Sequence, residues 1–386
     1  MTERLYMTDS RIDTLQKGRL SVEVDNLTFF RNNEYNSTAQ EGYTLPGFWL
    51  QPKAVYYPLS SIKLEAGVHS IWFWKTSSYP AFAYREIPTW MGRENAQNVH
   101  VLPFLRVHLA LSDRLDFILG NLYGGANHRL IEPLYNPELN LTSDPETGLQ
   151  LIYHSKTFQF DLWLDWMTYI YRLSTHQEAL ITGGSARFNL NAPESRFHVY
   201  IPFQGLVHHK GGEINVTEEN IQTIANGAVG AGIVWNREGH FVKSIKTEYA
   251  LAGFYFPKGR TYQPESGFGN YVRAEVRFFD FNFTASYWRC RDFIPISGSI
   301  FYSSMSAKKP GMLYKNPSLC YWGLDYVRSF GKGFALGMKA EVYRYMSGKM
   351  YSSETRLFQS SNFGKNTNHA LEVSFRMTPS FLIRKY

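Results

Sequence analysis

Residues 158–166 read FQFDLWLDW, and this stretch decides the fold of the chain. One parity carries only apolar side chains and the other is more polar; the members are Phe158, Phe160, Leu162, Leu164 and Trp166 against Gln159, Asp161, Trp163 and Asp165. Successive side chains of a β-strand point to opposite faces, so this period of two predicts a strand with one apolar face. Residues 271–278 and 371–377 repeat the alternation, which predicts a sheet built from such strands.

The composition excludes two classes of protein. Aromatic residues make up 16% of the 386 residues and charged residues 19%, whereas soluble domains typically carry roughly 25% charged residues. A chain this rich in aromatic residues is not disordered. No apolar run approaches the roughly 18 to 20 residues of a membrane-spanning helix, so a helical membrane protein is also excluded. Two classes remain, a large soluble β protein and a β-barrel that lies partly in lipid.

The alternating pattern predicts sixteen strands along the chain. Their approximate ranges are 18–30, 48–57, 61–73, 99–110, 114–123, 147–154, 157–169, 180–190, 196–207, 224–235, 241–255, 269–279, 281–290, 319–328, 334–345 and 369–378. The gaps between them alternate between short and long. Most of the seven short gaps carry the Gly, Asn, Asp, Ser or Pro residues of hairpin turns, and the eight long gaps include residues 124–146 and 291–318.

This alternation of gap lengths is typical of an outer-membrane barrel, in which short turns face the periplasm and long loops face outside. A soluble β-sandwich has no reason to place every long connection at one end. We therefore predict an all-β fold, a transmembrane antiparallel up-and-down β-barrel of about 16 strands, with roughly 14 to 18 also compatible. Residues 18–386 are predicted to form this single barrel domain, after a periplasmic N-terminal segment of residues 1–17.

At the level of this pattern the chain, from Gly18 to Tyr386, resembles the Gram-negative outer-membrane β-barrels of porin-like type. Such barrels often end on an aromatic residue that the assembly machinery reads, and Tyr386 is similar. The chain departs from them at Pro379 and at the pair Arg384 and Lys385, which interrupt the alternation. The resemblance implies a bacterial outer-membrane location, for a mature chain whose signal peptide is absent from this sequence.

The polar parity of the strands predicts the character of the lumen. It carries ten basic and eleven acidic residues, so the inner face is nearly neutral. Charged side chains inside a barrel need water or partners, and a barrel of about sixteen strands is wide enough for an aqueous channel. We therefore expect a water-filled pore of mixed charge, provided that no other part of the chain fills it.

The resemblance further implies that the third external loop, residues 124–146, folds inward and sets acidic residues opposite a basic wall. Opposed charges of this kind select ions and polar solutes by field and size. The candidate pore-lining residues are Glu132, Glu138, Asp144, Arg106, Arg187, Arg196, Arg273, Arg277, Lys339 and Arg376. The alternative is that the acids are solvated at the surface and that the arginines form structural ion pairs.

The two cysteines are a separate candidate pair. Cys290 and Cys320 flank the seventh long loop, and a disulfide between them would close it. Closure of such a loop stabilises by roughly 3 to 4 kcal/mol in the chain-entropy model. Simple alternation places Cys290 on the polar parity and Cys320 on the apolar one, which argues against the bond in the absence of a bulge. The bonded and unbonded forms are both compatible with the sequence.

Two functions fit a barrel of this kind. The leading hypothesis is a porin-like channel for passive diffusion of small polar or charged solutes. The alternative is a structural barrel subunit of a multiprotein outer-membrane or cell-surface complex, whose lumen an aromatic second loop would plug; its rings are Tyr79, Phe82, Tyr84 and Trp90. The expected partners are outer-membrane lipid and small polar solutes, and a homo-oligomer or other envelope proteins are also compatible.

Enzymes and nucleic-acid binders are disfavoured by what the chain lacks. It has no GxSxG, HExxH or P-loop motif and no CxxC spacing for a metal. Basic and acidic residues alternate along the strands and form no patch for nucleic acid. We therefore expect no enzymatic activity, no cofactor, no metal and no nucleic-acid partner.

Overall fold

A computed structural model describes residues 5–74, 100–217, 219–237, 239–260, 263–357 and 367–386. These residues form one closed antiparallel barrel with sixteen strand positions and one extra strand. Among them, no helix is long and apolar enough to cross a membrane. The aromatic stretch with Tyr79, Phe82, Tyr84 and Trp90 lies outside the described residues, so its role as a plug stays a prediction.

The first sixteen strands follow one another round the barrel in chain order. The bounds of all strands are β1 Arg19–Glu34, β2 Tyr43–Leu59, β3 Ile62–Phe73, β4 His100–Ser112, β5 Leu115–Asn121, β6 Thr147–His154, β7 Phe158–Thr168, β8 Glu178–Asn189, β9 Phe197–Gly211, β10 Gln222–Asn236, β11 Val242–Tyr255, β12 Ser266–Phe278, β13 Phe281–Arg291, β14 Met312–Gly331, β15 Phe334–Ser352, β16 Thr367–Met377 and β17 Ser380–Lys385. Two external connections matter below. They are residues 122–146 and residues 292–311, which we call L3 and L7.

The barrel closes between β1 and the C-terminal end of the chain. One half of β1 pairs with β16 and the other half with β17. Between these two pairings, Val24 N donates to Pro379 O at 3.1 Å, so the contact between β1 and the C-terminal strands is continuous. Closure is required because hydrocarbon offers no partners to an open sheet edge. Strand β17 was not predicted, because Pro379 has no N–H for the ladder and the residues that follow it break the alternation.

The two faces of the wall differ as the alternation predicts. Leu105 on the outer face is 61% exposed, whereas its neighbour Arg106 on the inner face is 7% exposed. Leu371 and Glu372 of β16 show the same contrast. The outer face is therefore the apolar surface that contacts lipid, and rings such as Trp72 contribute to it. The predicted transmembrane β-barrel of sixteen strand positions is confirmed.

One side of the lumen is filled by external loops. L3 and L7 fold inward, and every residue from 293 to 306 is buried. The two loops contact each other, since Asn136 N donates to Ser297 O at 2.7 Å. In L7, Phe301 stacks on Tyr343 of β15 with ring centroids 4.4 Å apart. Together with inward aromatic side chains of the wall, these loops form the main hydrophobic core inside the barrel.

The N-terminal residues also reach into the lumen. The hydroxyl of Tyr6 donates a hydrogen bond to Glu372 of β16. Thr8 N donates to Asn127 Oδ1 of L3 at 3.0 Å. We expected residues 1–17 to lie in the periplasm, but residues 5–8 lie inside the barrel, because the charged wall and L3 offer partners to their polar groups.

The wall extends least far toward the external side at β5 and β6, because these strands have only seven and eight residues. Pairing of β4 with β5 starts at Arg106, so residues 100–105 of β4 pair with β3 alone. Pairing of β6 with β7 ends at Asp165, so residues 166–168 of β7 are left with β8 alone. The described strands therefore leave a gap in the external half of the wall, about 14 Å between the axes of β4 and β7 at ~4.8 Å per strand. We call this gap the notch.

Gly120 and Gly148 lie at the base of the notch. Gly120 has a φ of +94°, and a Cβ there would lie 2.2 Å from Leu105 O. A Cβ on Gly148 would lie 2.1 Å from Leu164 O. Glycine is the residue that allows both the positive φ and this close approach of a neighbouring strand. The chain leaves the wall just after Gly120, runs through L3 and re-enters the wall just before Gly148.

Cys290 and Cys320 are both free, so the disulfide alternative was wrong. Cys290 lies on the inner face, where its Sγ is 3.4 Å from Ser304 Oγ of L7. Cys320 lies on β14 between inward-facing Leu319 and Tyr321, and therefore faces outward. Side chains on opposite faces of a wall cannot reach the Cβ separation of about 3.8 Å that a disulfide needs.

Candidate functional site

A cavity of about 930 Å³ lies inside the barrel beside the core, and L3 and several strands of the wall line it. Core residues such as Trp163 and Leu206 form part of this lining. One end of its lining includes Tyr57 and Lys63, near the periplasmic ends of β2 and β3. The other end includes Trp166 and Met167, which border the notch. The cavity is thus a space where a ligand can lie, and it reaches the external half of the wall.

His128 lies at the wall of this cavity, at the end of the short 3₁₀ helix Gly125–His128 of L3. Its Nδ1 is 2.8 Å from Asp161 Oδ2 and its Nε2 is 2.6 Å from Glu146 Oε2. Burial alone would lower the pKa of His128, but the carboxylates of Glu146 and Asp161 outweigh it and raise the pKa to about 10. His128 is therefore a cation at neutral pH that donates both of its N–H groups.

Glu146 connects this histidine to the cavity. Its Oε2 accepts from His128 and its Oε1 accepts from Gly125 N at 3.1 Å. Burial would raise the pKa of Glu146, but the positive charge and the hydrogen bond of His128 lower it. Glu146 is therefore an ionised carboxylate held in one position at the cavity surface.

Asp165 and Asp144 complete the charged cluster beside the notch. Asp165 accepts a hydrogen bond from Thr147 N at 2.8 Å. Within the described ranges, no Lys, Arg or His lies within the ion-pair distance of 4.0 Å from Asp165. Asp144 is paired, since its Oδ1 lies 3.1 Å from His100 Nε2. In the part of the chain that the structure describes, no group of three or more His, Cys, Asp and Glu residues is arranged to hold a metal ion.

A second charged cluster lines the periplasmic part of the cavity. Glu65 is paired with Lys53 at 2.5 Å and with Arg106 at 2.8 Å. Lys63 Nζ lies 3.5 Å from the same carboxylate. Three cations around one carboxylate leave excess positive charge in a buried place, which favours an anionic ligand over a neutral one. This cluster is basic, although Glu23 and Asp25 of β1 line the same cavity, whereas the cluster beside the notch is acidic.

The three predicted acids of L3 lie inside the barrel but have different surroundings. Glu138 is 3.0 Å from Arg31 Nε, in a buried group of charges away from the notch. Glu132 accepts a hydrogen bond from Tyr302 of L7 at 2.5 Å. Asp144 lines the cavity. L3 therefore folds inward, as the resemblance implied, but its acids are not set along one pore.

The predicted basic residues do not form one wall. Four of them are in ion pairs, namely Arg106 with Glu65 (2.8 Å), Arg273 with Glu275 (3.1 Å), Lys339 with Glu341 (2.6 Å) and Arg376 with Asp25 (2.8 Å). Arg187 lies over the ring of Tyr200. Arg277 is half-buried, and Arg196 is exposed at a periplasmic turn. Pore lining by these residues stays a prediction, and four of them have the ion pairs of the alternative interpretation.

Sequence reasoning missed the cluster around His128. Its partners lie 18 and 33 residues away along the chain, at Glu146 and Asp161, so no short motif joins them. One signal was present, because the alternation in residues 158–166 places Asp161, Trp163 and Asp165 on one inner face. Only the inward fold of L3 adds His128 and Glu146 to that face.

Comparison with known proteins gives one family and a set of similar folds. A family model described as lipid A 3'-O-deacylase-type matches residues 12–386. No curated protein sequence matches. Among solved structures, OccAB1 of Acinetobacter baumannii matches with a TM-score of 0.52 at 10% identity, over 94% of this chain and 96% of that one. The anion-selective porin from Comamonas acidovorans matches with a TM-score of 0.51 at 9% identity, over 93% and 99%.

The structural matches show the fold of an outer-membrane β-barrel. The closed barrel with its apolar outer face agrees with the predicted location in the bacterial outer membrane. A shared fold does not determine function. The family match corrects our expectation that the chain is not an enzyme, because this family is described by an enzymatic activity. That expectation rested on missing short motifs, and residues that meet only in the folded barrel, such as His128 and Asp161, leave no such motif.

Proposed function

Because the chain belongs to the lipid A 3'-O-deacylase-type family, we propose that it hydrolyses an ester-linked acyl chain of lipid A in the outer membrane. The observation that carries this proposal is the cluster of His128, Glu146 and Asp165 in a cavity that reaches the external half of the wall. Ester hydrolysis needs a base that takes a proton from water and positive charge near the developing oxyanion. The cluster offers the base in Asp165, and in His128 a cation that offsets part of the surrounding negative charge.

Asp165 is the proposed general base. Its carboxylate lines the cavity and has no cation within ion-pair distance among the described residues, so it is available to accept a proton. Water that gives this proton to Asp165 attacks the ester carbonyl carbon. The bond from that carbon to the sugar oxygen then breaks, and the sugar oxygen takes up a proton. The products are a fatty acid and a free sugar hydroxyl.

His128 is the proposed positioning residue. It holds Glu146 through Nε2, while Asp161 holds the imidazole through Nδ1. Because the imidazole is protonated at neutral pH, it also offsets part of the negative charge of Glu146 and Asp161 beside the reacting carbonyl. A charge that is already oriented before the reaction costs no reorganisation when the oxyanion forms.

The test compares the wild-type protein with Asp165→Asn on lipid A in mixed micelles, with the product masses measured by mass spectrometry. We expect the wild type to release an acyl chain and Asp165→Asn to be slower by about 10²- to 10⁴-fold, the usual contribution of one general base. Asp113→Asn, in the exposed turn between β4 and β5, is the matched control and should keep the wild-type rate. A folded wild-type barrel that releases no acyl chain would refute the proposal.

A second candidate function, passive diffusion of small polar solutes, is supported by the length of the cavity. Its lining extends from Lys63, near the periplasmic end of β3, to Thr168 at the external end of β7. L3, L7 and residues 5–8 occupy much of the remaining lumen, which favours the plugged barrel of the alternative hypothesis. Recording in planar bilayers distinguishes the two: steady conductance supports the channel, and a folded barrel without conductance rejects it.

A further inference from the structure

We propose that the notch between β4 and β7 is a lateral opening through which an acyl chain of an outer-leaflet lipid passes from the membrane into the cavity. That this lipid is then hydrolysed rests on the function proposed above. The position of the opening rests on the pairing of the strands alone.

The height of the wall places the notch at the level of lipid. Strand β5 has seven residues, which span about 23 Å at ~3.3 Å per residue. At the tilt of roughly 40° that is usual in outer-membrane barrels, this is about 18 Å along the membrane normal, against an apolar band about 25 Å tall. The wall at β5 therefore ends below the external limit of the band, where the acyl chains of the outer leaflet lie.

The rim of the notch is apolar on both of its sides. Val101 and Leu105 of β4 and Trp166 of β7 are exposed on the outer face, so the rim continues the lipid-facing surface without a break. Just inside it, Leu102 and Met167 line the cavity. An acyl chain that moves from the bilayer into the cavity therefore passes along apolar side chains.

The strand edges at the base of the notch are capped by side chains instead of by another strand. Asn121 Oδ1 accepts from Leu105 N at 2.7 Å, and Asp165 Oδ1 accepts from Thr147 N at 2.8 Å. An unpaired backbone group is costly in lipid. A longer β5 and β6 would satisfy such groups and would also close the wall. The two side-chain caps satisfy Leu105 N and Thr147 N without closing the gap.

The notch opens beside the charged cluster. Glu146, Thr147 and Asp165 line the same cavity as Met167 of the rim. A lipid whose acyl chain lies in the cavity has its ester at the head-group end of that chain, near the mouth. The notch therefore brings the ester of a membrane-embedded substrate close to the proposed base without extraction of the whole lipid.

Photo-crosslinking tests the opening independently of any reaction. The folded protein is placed in phosphatidylcholine vesicles that contain a trace of phospholipid with a diazirine at the end of one acyl chain, and crosslinked residues are mapped by mass spectrometry. We expect crosslinks at Leu102 or Trp163, whose side chains line the cavity. Crosslinks confined to outward-facing residues such as Leu162 would overturn the proposal.

A variant that narrows the notch separates the opening from the chemistry. Leu102→Trp should reduce crosslinking of Trp163 and slow the hydrolysis of bilayer-embedded lipid A by about tenfold, or ~1.4 kcal/mol. Hydrolysis of a short-chain soluble ester, which enters the cavity from water, should be slowed by a clearly smaller factor. Leu371→Trp, on the lipid-facing side of β16, is the matched control, and a heat-modifiable shift on a denaturing gel verifies that each barrel is folded.

The outcomes are distinguishable. If the wild type hydrolyses neither ester, the hydrolase function fails, whereas crosslinks inside the cavity still support the opening. If Leu102→Trp leaves both the crosslinks at Trp163 and the hydrolysis of bilayer lipid A unchanged, the opening at the notch is rejected even though the enzyme is active.

Discussion

The imidazole of His128 lies flat on the indole of Trp163, with ring centroids 3.5 Å apart and ring planes 11° from parallel. His128 belongs to L3 and Trp163 to β7, so this stack joins the loop to the wall. A cation over an indole face is attracted by the electron density of the ring. The placement of L3 inside the barrel therefore depends in part on the charge of one side chain.

We expect L3 to loosen in alkaline solution, because His128 then loses its proton. Its pKa is raised from 6.5 to about 10. A raised pKa means that the stabilisation is complete below a pH of about 6.5 and is lost as the pH rises through about 10. Tryptophan fluorescence and limited proteolysis of L3, followed from about pH 7 to pH 11, measure the change.

His128→Gln is the control for this titration. The variant keeps a polar side chain but carries no proton to lose, so the difference between the two proteins isolates His128 from the Tyr and Lys residues that titrate in the same range. Identical profiles for the wild type and His128→Gln would contradict the role of His128.

Gly183→Ala should displace Trp163 from the imidazole. A Cβ at Gly183 would lie 2.1 Å from Cζ2 of the indole, so the ring must move. Overpacking of this kind costs about 1 to 3 kcal/mol. The measurements are urea unfolding in lipid vesicles and near-UV circular dichroism. Gly184→Ala is the matched control, because the nearest atom to a Cβ there is the flexible end of Leu162, at 2.9 Å.

Arg31→Met should destabilise the filled side of the lumen. Arg31 lies 3.0 Å from Glu138, 2.7 Å from Glu341 and 3.0 Å from Glu372. Its removal leaves three buried carboxylates without their shared cation, which we expect to lower the free energy of unfolding by about 3 to 5 kcal/mol at neutral pH.

Arg291→Met is the control for this change. The side chain of Arg291 is 70% exposed, so the same substitution there should alter the free energy of unfolding by less than about 1 kcal/mol. Equal effects of the two variants in urea unfolding would show that Arg31 is not a buried centre of charge.

Gly120→Ala should disturb the base of the notch. A non-glycine residue is strained at a φ of +94°, and its Cβ would meet Leu105 O at 2.2 Å, so β5 must shift away from β4. We expect a loss of more than about 1 kcal/mol and a smaller fraction of heat-modifiable barrel. Gly253→Ala is the comparison, since nothing lies within 4 Å of a Cβ at that position. Equal folded fractions for both variants would count against this account of β5.

The wall of the barrel could be predicted from the sequence. Its last part, at the C-terminal end of the chain, could be predicted only in part. The alternation in residues 158–166 correctly assigned Leu162 to the lipid face and Asp161 to the inside, because it reflects contacts between adjacent residues of one strand. Pro379 signalled an interruption, but β17 beyond it was missed. Its pairing with β1 joins residues at opposite ends of the chain, and such a contact has no local period.

By itself, then, the sequence determined the sixteen main strands of the wall, their order and their orientation, because period two and turn residues are properties of near neighbours along the chain. The tertiary structure alone decided what occupies the lumen. It packed L3 and L7 against each other, brought His128 to Asp161 across 33 residues and kept Cys290 and Cys320 on opposite faces. It also ended β5 and β6 early enough to leave the notch. These features depend on contacts between residues far apart in sequence, which leave no regular pattern in the chain.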